Sequence, residues 1–281
     1  MTTTRIPFRS LLASELRRCL SRRAVHVLIG IALLGIVAMA VLAVVLTDPA
    51  QISPPGDGGE YNEGHIANLV DLWLGDGGGV IIQPIVLLAI GALLGGALVV
   101  GGEWKAGTVL TVATWEVRRP RLLGARLLAC GILAPTIAIG LLGLFVAGTL
   151  PVVLTKGSTA GIDGAWLAGF AGTVGRGLLV VTFAALLGGA IASIARGATA
   201  AFVVLFALNA VIEPAIRGWF PGVSGWLLGE NLAALVGGEV LDGDGFRRGP
   251  GVAGVLLAVY VTAVLVAATA IFDRRDLGSA A

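Results

Sequence analysis

Apolar and polar positions alternate on a long scale along the 281 residues. Runs of apolar side chains fill 25–46, 80–102, 122–150, 177–195, 197–213 and 251–272. A helix needs about 20 apolar residues, at about 1.5 Å rise each, to cross the hydrocarbon core of a bilayer. These runs predict an all-α membrane protein with six transmembrane helices in one transmembrane domain over 1–281. The fifth, 197–213, is the shortest and spans only if its ends stretch or the bilayer thins around it.

The polar segments have patterns of their own. Before the first run, "FRSLLASELRRCLSRR" places Phe8, Leu11, Leu12, Leu16 and Cys19 on one helical face, with Ser10, Ser14, Arg17, Arg18 and Ser21 opposite. That predicts an interfacial helix within 1–24, its basic face toward anionic headgroups or its apolar face packed on protein. Segments 47–79 and 214–250 are predicted as outer loops. In the first, "DPAQISPPGDGGE" cannot propagate a helix, whereas Ile66, Leu69, Val70, Trp73 and Leu74 follow helical spacing. In the second, Trp219, Phe220 and Trp226 precede another apolar stripe. Pro135 is expected to bend the third span. Gly91 and Gly95 form a GxxxG pair, and Gly188, Gly189, Ala190 and Ala192 a second small-residue face, where helices approach closely.

Composition agrees: with 57% hydrophobic and 13% charged residues, the chain cannot cover a soluble globule of this length. The net charge of +2 therefore gives no argument for nucleic acid. Where the charges lie matters more. With both termini cytoplasmic and six spans, fourteen of the nineteen Lys and Arg residues fall on the inner side, and Lys156, Arg176, Arg217, Arg247 and Arg248 remain outside. The positive-inside rule selects that orientation. Neither Cys19 nor Cys130 is assigned a disulfide; each reads as a small buried apolar residue.

Catalytic patterns are missing. "GEWKAGT", Gly102 to Thr108, lacks the lysine that follows the second glycine of a phosphate-binding loop, and it follows an apolar run rather than a strand. His26 and His65 fall on opposite sides of the membrane and cannot share a metal. "GDGGEYNEG" and "LDGDG" lack the ligand spacing of a calcium loop. Arg176 and Glu213 are the ionisable residues nearest mid-membrane, and both fit at helix ends, which disfavours a proton-coupled carrier. An enzyme is not expected, and no cofactor or metal site is assigned to this chain.

The segment 103–121 stands apart, because it packs Glu103, Lys105, Glu116, Arg118, Arg119 and Arg121 between two apolar runs. Read from composition, Glu103 is an acid marking a helix end and the arginines are the positive-inside signal. The pattern also resembles the membrane subunits of type 2 ATP-binding-cassette (ABC) exporters. There a glutamate precedes Gly-Thr by four residues, a basic residue follows, and a further basic residue opens the next span. Here these are Glu103, Gly107, Thr108, then Arg118 and Arg119, then Arg126 before "LLAC"; the ending "FDRRDLG" is also similar. Trp115 stands where the family often has proline, and Pro120 comes later.

The resemblance implies a cytoplasmic coupling helix, with Glu103, Lys105, Gly107, Thr108, Glu116, Arg118, Arg119 and Arg121 facing a separate ATP-binding subunit, present in two copies, that binds ATP and Mg. It also implies a second permease, identical or similar, and a substrate path lined by helices carrying Gly91, Gly95 and Asn209. The expected function is that of an exporter permease in the plasma membrane, moving a lipid-like molecule, a drug or a peptide. The alternative is a non-transporting scaffold or regulatory subunit of an ABC or sensor complex.

Overall fold

The computed structural model describes residues 7–45, 79–105, 118–156, 164–238, 240–243 and 246–274. Pro7, with φ −63°, presets the entry to α1 (Phe8–Ser21), and the Ser10 hydroxyl donates to the Pro7 carbonyl at 2.7 Å. A single extended residue, Arg22, separates it from α2 (Arg23–Val45). The other long apolar helices are α3 (Gly79–Lys105), α4 (Arg119–Lys156), α5 (Gly164–Ala195), α6 (Ala198–Trp219) and α8 (Pro250–Arg274). With α2 they make six helices long and apolar enough to cross a membrane, as expected of an all-α membrane protein.

Helix boundaries move where the chain continues to suit a helix. α5 begins at Gly164 rather than 177, because Trp166, Leu167 and Phe170 extend its apolar surface. α4 runs on through Pro135 and Pro151 to Lys156. α6 extends to Trp219 and reaches 22 residues, or about 33 Å at the helical rise, so it needs no thinning of the bilayer. It does so through a π turn at Leu208–Ile212, in which the Glu213 N–H bonds the carbonyl of Leu208 five residues back. Pro214, which has no N–H, follows at once, so the wider turn falls where the regular ladder is interrupted.

α3 and α5 share the most extensive helix contact. Its basis is the absence of side chains: a Cβ on Gly188 would enter the backbone of Leu93, and one on Gly96 the backbone of Ala185. Gly91 has no atom within 4 Å of that position and Gly95 meets only Leu28 Cδ2 at 3.2 Å. The close approach therefore uses Gly96, Gly188 and Gly189 rather than the GxxxG pair.

After α6, a 3₁₀ turn at Pro221–Trp226 leads into α7 (Leu228–Gly237), which packs against α5 and α8. A hairpin follows, β1 (Leu241–Gly243) antiparallel to β2 (Phe246–Arg248), with Leu241 opposite Arg248. The short outer helix expected around Ile66–Leu74 lies outside the described residues.

Candidate functional site

At the end of the bundle where α1 joins α2, five charged side chains meet, of which Glu15, Glu103 and Arg126 are buried. Glu103 on α3 is 4% exposed and Glu15 on α1 is 1% exposed. Glu103 Oε1 accepts from Arg22 Nη2 at 2.5 Å and lies 3.7 Å from Arg18 Nη1, while Oε2 forms an ion pair with Arg126 Nη1 at 2.6 Å. Glu15 takes Arg18 Nη1 at 3.0 Å and Arg126 Nε at 3.3 Å. Arg22 also donates to the Val99 carbonyl at 2.7 Å. Burying these groups costs desolvation that pairing offsets only when the geometry is kept, so the cluster specifies register more than it adds stability. It locks α1, α3 and α4 together.

The local sequence explains the convergence. Glu15 lies on the stripe of Leu12, Leu16 and Cys19, so docking that apolar face against α4 carries the acid inside. Arg126 is buried along with its neighbours Ala125, Leu127 and Ala129. Glu103 opens the segment that the sequence singled out, and Arg126 is the basic residue of the same pattern that follows it. Glu15, Arg18 and Arg22 lie outside that pattern, and the only sign of Glu15 is an acid on the apolar side of an otherwise basic helix.

The remaining residues of that segment flank this core. Lys105 ends α3, and Gly107, Thr108 and Glu116 lie outside the described residues. Arg118 is exposed just before α4, Arg119 Nη1 donates to the Asp273 carbonyl at 3.4 Å, and Arg121 sits 5.9 Å from the centre of the Phe8 ring. On the other flank, Trp104 packs edge-on against Phe272 of α8 at 6.3 Å, with the Arg196 guanidinium 5.6 Å from its ring. The residues flanking segment 106–117 are thus tied to α8 on both sides, through Trp104 and Arg119. Arg196 itself has φ 58°, a left-handed turn between α5 and α6 that a non-glycine residue holds at a cost of about 1 kcal/mol.

Toward the opposite end, α3, α5, α6, α7 and α8 surround an apolar cavity of about 710 Å³, lined by residues including Val86, Ile90, Phe183, Phe206 and Leu232. That volume lies within the range of about 300–1,000 Å³ typical of small-molecule pockets. Asn209, in the π turn of α6, supplies a polar group to the lining. Gly91 and Gly95 do not join it: they line a separate, smaller cleft on another face of α3.

One wall of the large cavity is held by charge. The buried Glu213 carboxylate accepts the Leu228 N–H at 2.9 Å and the Gly229 N–H at 3.0 Å, capping the positive end of α7. At the other end Gly238, φ 79°, leaves room for the Arg176 guanidinium, which a Cβ there would strike. Glu213 and Arg176, the ionisable residues that the sequence puts nearest mid-membrane yet at helix ends, therefore bracket one short helix. Asn231, fully buried, fastens the preceding turn by donating to the carbonyls of Gly225 at 3.0 Å and Leu227 at 2.7 Å.

Cys19 and Cys130 are free and buried, and they belong to one apolar cluster. A hydrogen bond from Cys130 draws the Cys19 thiol below its ordinary pKa, against the upward push of burial. Compared with known proteins, the chain matches no family model and no curated relative.

Proposed function

We propose that this chain is the permease subunit of an ABC exporter in the plasma membrane, with both termini in the cytoplasm and segment 103–121 acting as the coupling element. The observation that carries the reading is the buried charged cluster at the start of that segment. Glu103 is bound to Arg22 at one side and Arg126 at the other, so a displacement of the segment is passed to α1, α3 and α4 as one body. A partner subunit that binds ATP and Mg and closes on them would supply the displacement. Glu103 then acts inside the permease as a transmission point, and Arg118, Arg119 and Arg121, with Lys105, Gly107, Thr108 and Glu116, form the docking side.

The large cavity supports a lipid-like molecule or an apolar drug as cargo, with Asn209 as its polar contact. It is flanked by α3 and α6, whose Ile90 and Phe206 are 55% and 70% exposed. A second permease packed on that face would join two such cavities into one route.

The test is a mild-detergent purification of the tagged chain from its native membranes, followed by mass spectrometry and an ATPase assay of what stays bound. A soluble ATP-hydrolysing subunit is expected, and it is lost when Arg118 and Arg119 are both changed to Glu while the thermal stability of the permease is unchanged. Recovery of no ATP-hydrolysing partner in several detergents would refute the reading.

A further inference from the structure

The smaller cleft, between α1, α2, α3, α4 and α5, is not used by the proposed transport path. It has a volume of about 90 Å³, well below a drug-sized site, and its lining is apolar apart from the thiols of Cys19 and Cys130. It is long rather than round. Along α3 it extends from Leu88 to Val99 and along α4 from Cys130 to Leu141, twelve residues on each helix, so that the eleven rises between the ends span about 16 Å. That is about half of a hydrocarbon core roughly 30 Å thick, the depth of one leaflet. Leu28, Ile29, Gly91, Leu133 and Ile137 along it are only half-buried, so the cleft opens sideways toward the membrane.

One end of the cleft adjoins the charged cluster. Cys19 and Val25, which line that end, flank Arg22, and Arg22 holds the carbonyl of Val99, also in the lining. Among the described residues, three guanidinium groups face two carboxylates there, a surplus of one positive charge. The side chains of Arg18 and Arg22 are 39% and 22% exposed, so an anion arriving from outside can reach them.

We propose that one acyl chain of an anionic phospholipid lies along this cleft, only partly enclosed because about 90 Å³ is less than a whole chain occupies, with the phosphate held at its charged end by Arg18 and Arg22. The lining selects a hydrocarbon chain, the length selects a chain spanning one leaflet, and the surplus positive charge selects an anionic headgroup over a zwitterionic one. Gly91 matters because it leaves the channel open: a Cβ there meets nothing within 4 Å. The bound chain would pack against α1, α2 and α4, beneath the ion pairs that join them. The inference requires only a membrane location, and it stands or falls apart from the transport proposal.

The experiment is native mass spectrometry of the full chain after delipidation and titration with phosphatidylglycerol or phosphatidylcholine of matched chains. Wild type is expected to retain one phosphatidylglycerol at least tenfold more tightly than phosphatidylcholine. Gly91→Leu, which fills the cleft, is expected to lower that retention about tenfold while the lipid-free protein unfolds at the wild-type temperature. Ala134→Leu fills it from the α4 side and repeats the test should the first variant not fold. Equal retention of both lipids would overturn the headgroup assignment, and with it the proposal. So would retention that neither filled variant lowers, which would put the lipid elsewhere, or a wild type that binds no lipid because another segment or a second copy covers the cleft.

Discussion

Replacing Glu103 by Gln removes one of the two carboxylates from the charged cluster and leaves the shape nearly unchanged. Its partners are not equally exposed. Arg126 is buried, 4% exposed against 5% for the Glu103 side chain, whereas Arg22 and Arg18 are 22% and 39% exposed. Breaking a buried pair by removing one partner costs about 3–5 kcal/mol, and exposed pairs contribute under about 1 kcal/mol. Arg126 keeps Glu15 at 3.3 Å and Arg22 keeps the Val99 carbonyl at 2.7 Å, which moves the expected cost to the lower end, about 3 kcal/mol. Arg126→Met alone leaves Glu103 with Arg22 and should cost a similar amount. Made together, the two changes leave no uncompensated charge between α3 and α4, so their combined cost should fall below the sum by about 2 kcal/mol. Unfolding in mixed micelles, followed by the fluorescence of Trp104 beside the cluster, measures all three variants. Additivity within about 0.5 kcal/mol, or a cost under about 1 kcal/mol for Glu103→Gln, would refute the claim that this buried pair joins the helices.

Three further expectations test other parts of the fold. Glu213→Ala strips the cap from α7 and should cost about 2 kcal/mol, seen as roughly 30-fold faster hydrogen exchange over 228–236, while exchange in α2 stays unchanged. Gly188→Leu forces a side chain into the backbone of Leu93 and should lower stability by about 3 kcal/mol in thermal unfolding, whereas Gly140→Ala, with no atom within 4 Å, should gain up to about 1 kcal/mol. Mild oxidation should close an intramolecular Cys19–Cys130 disulfide, visible as the loss of two hydrogens in the intact mass and absent in Cys19→Ser. Failure of the wild type to cross-link would mean that α1 does not dock on α4 as described.

Much of the architecture was legible in the chain because a bilayer leaves a segment few choices. An apolar run of helical length must satisfy its own backbone, so six runs became six helices, and the stripe of Leu12, Leu16 and Cys19 became a docked face. The fifth helix was the exception: the run stops near Glu213, but the carboxylate is held by the N–H groups of α7, and the helix passes it to Trp219. Likewise, spacing marked Gly91 and Gly95 as a contact pair, but spacing does not say which face of a helix meets a neighbour. That depends on where α5 lies, and α5 lies over Gly96.

By itself, the sequence determined the class of solvent, the number of long helices and the concentration of basic residues at one end, since these follow from local hydropathy and from charges read along the chain. Only the tertiary structure decided that Glu15 and Glu103 share three arginines, that Glu213 and Arg176 hold opposite ends of one short helix, and that Asn209 and Gly91 face different cavities. Such pairings join residues as far apart as Glu15 and Arg126, and their energies exist only once packing has excluded water from between them.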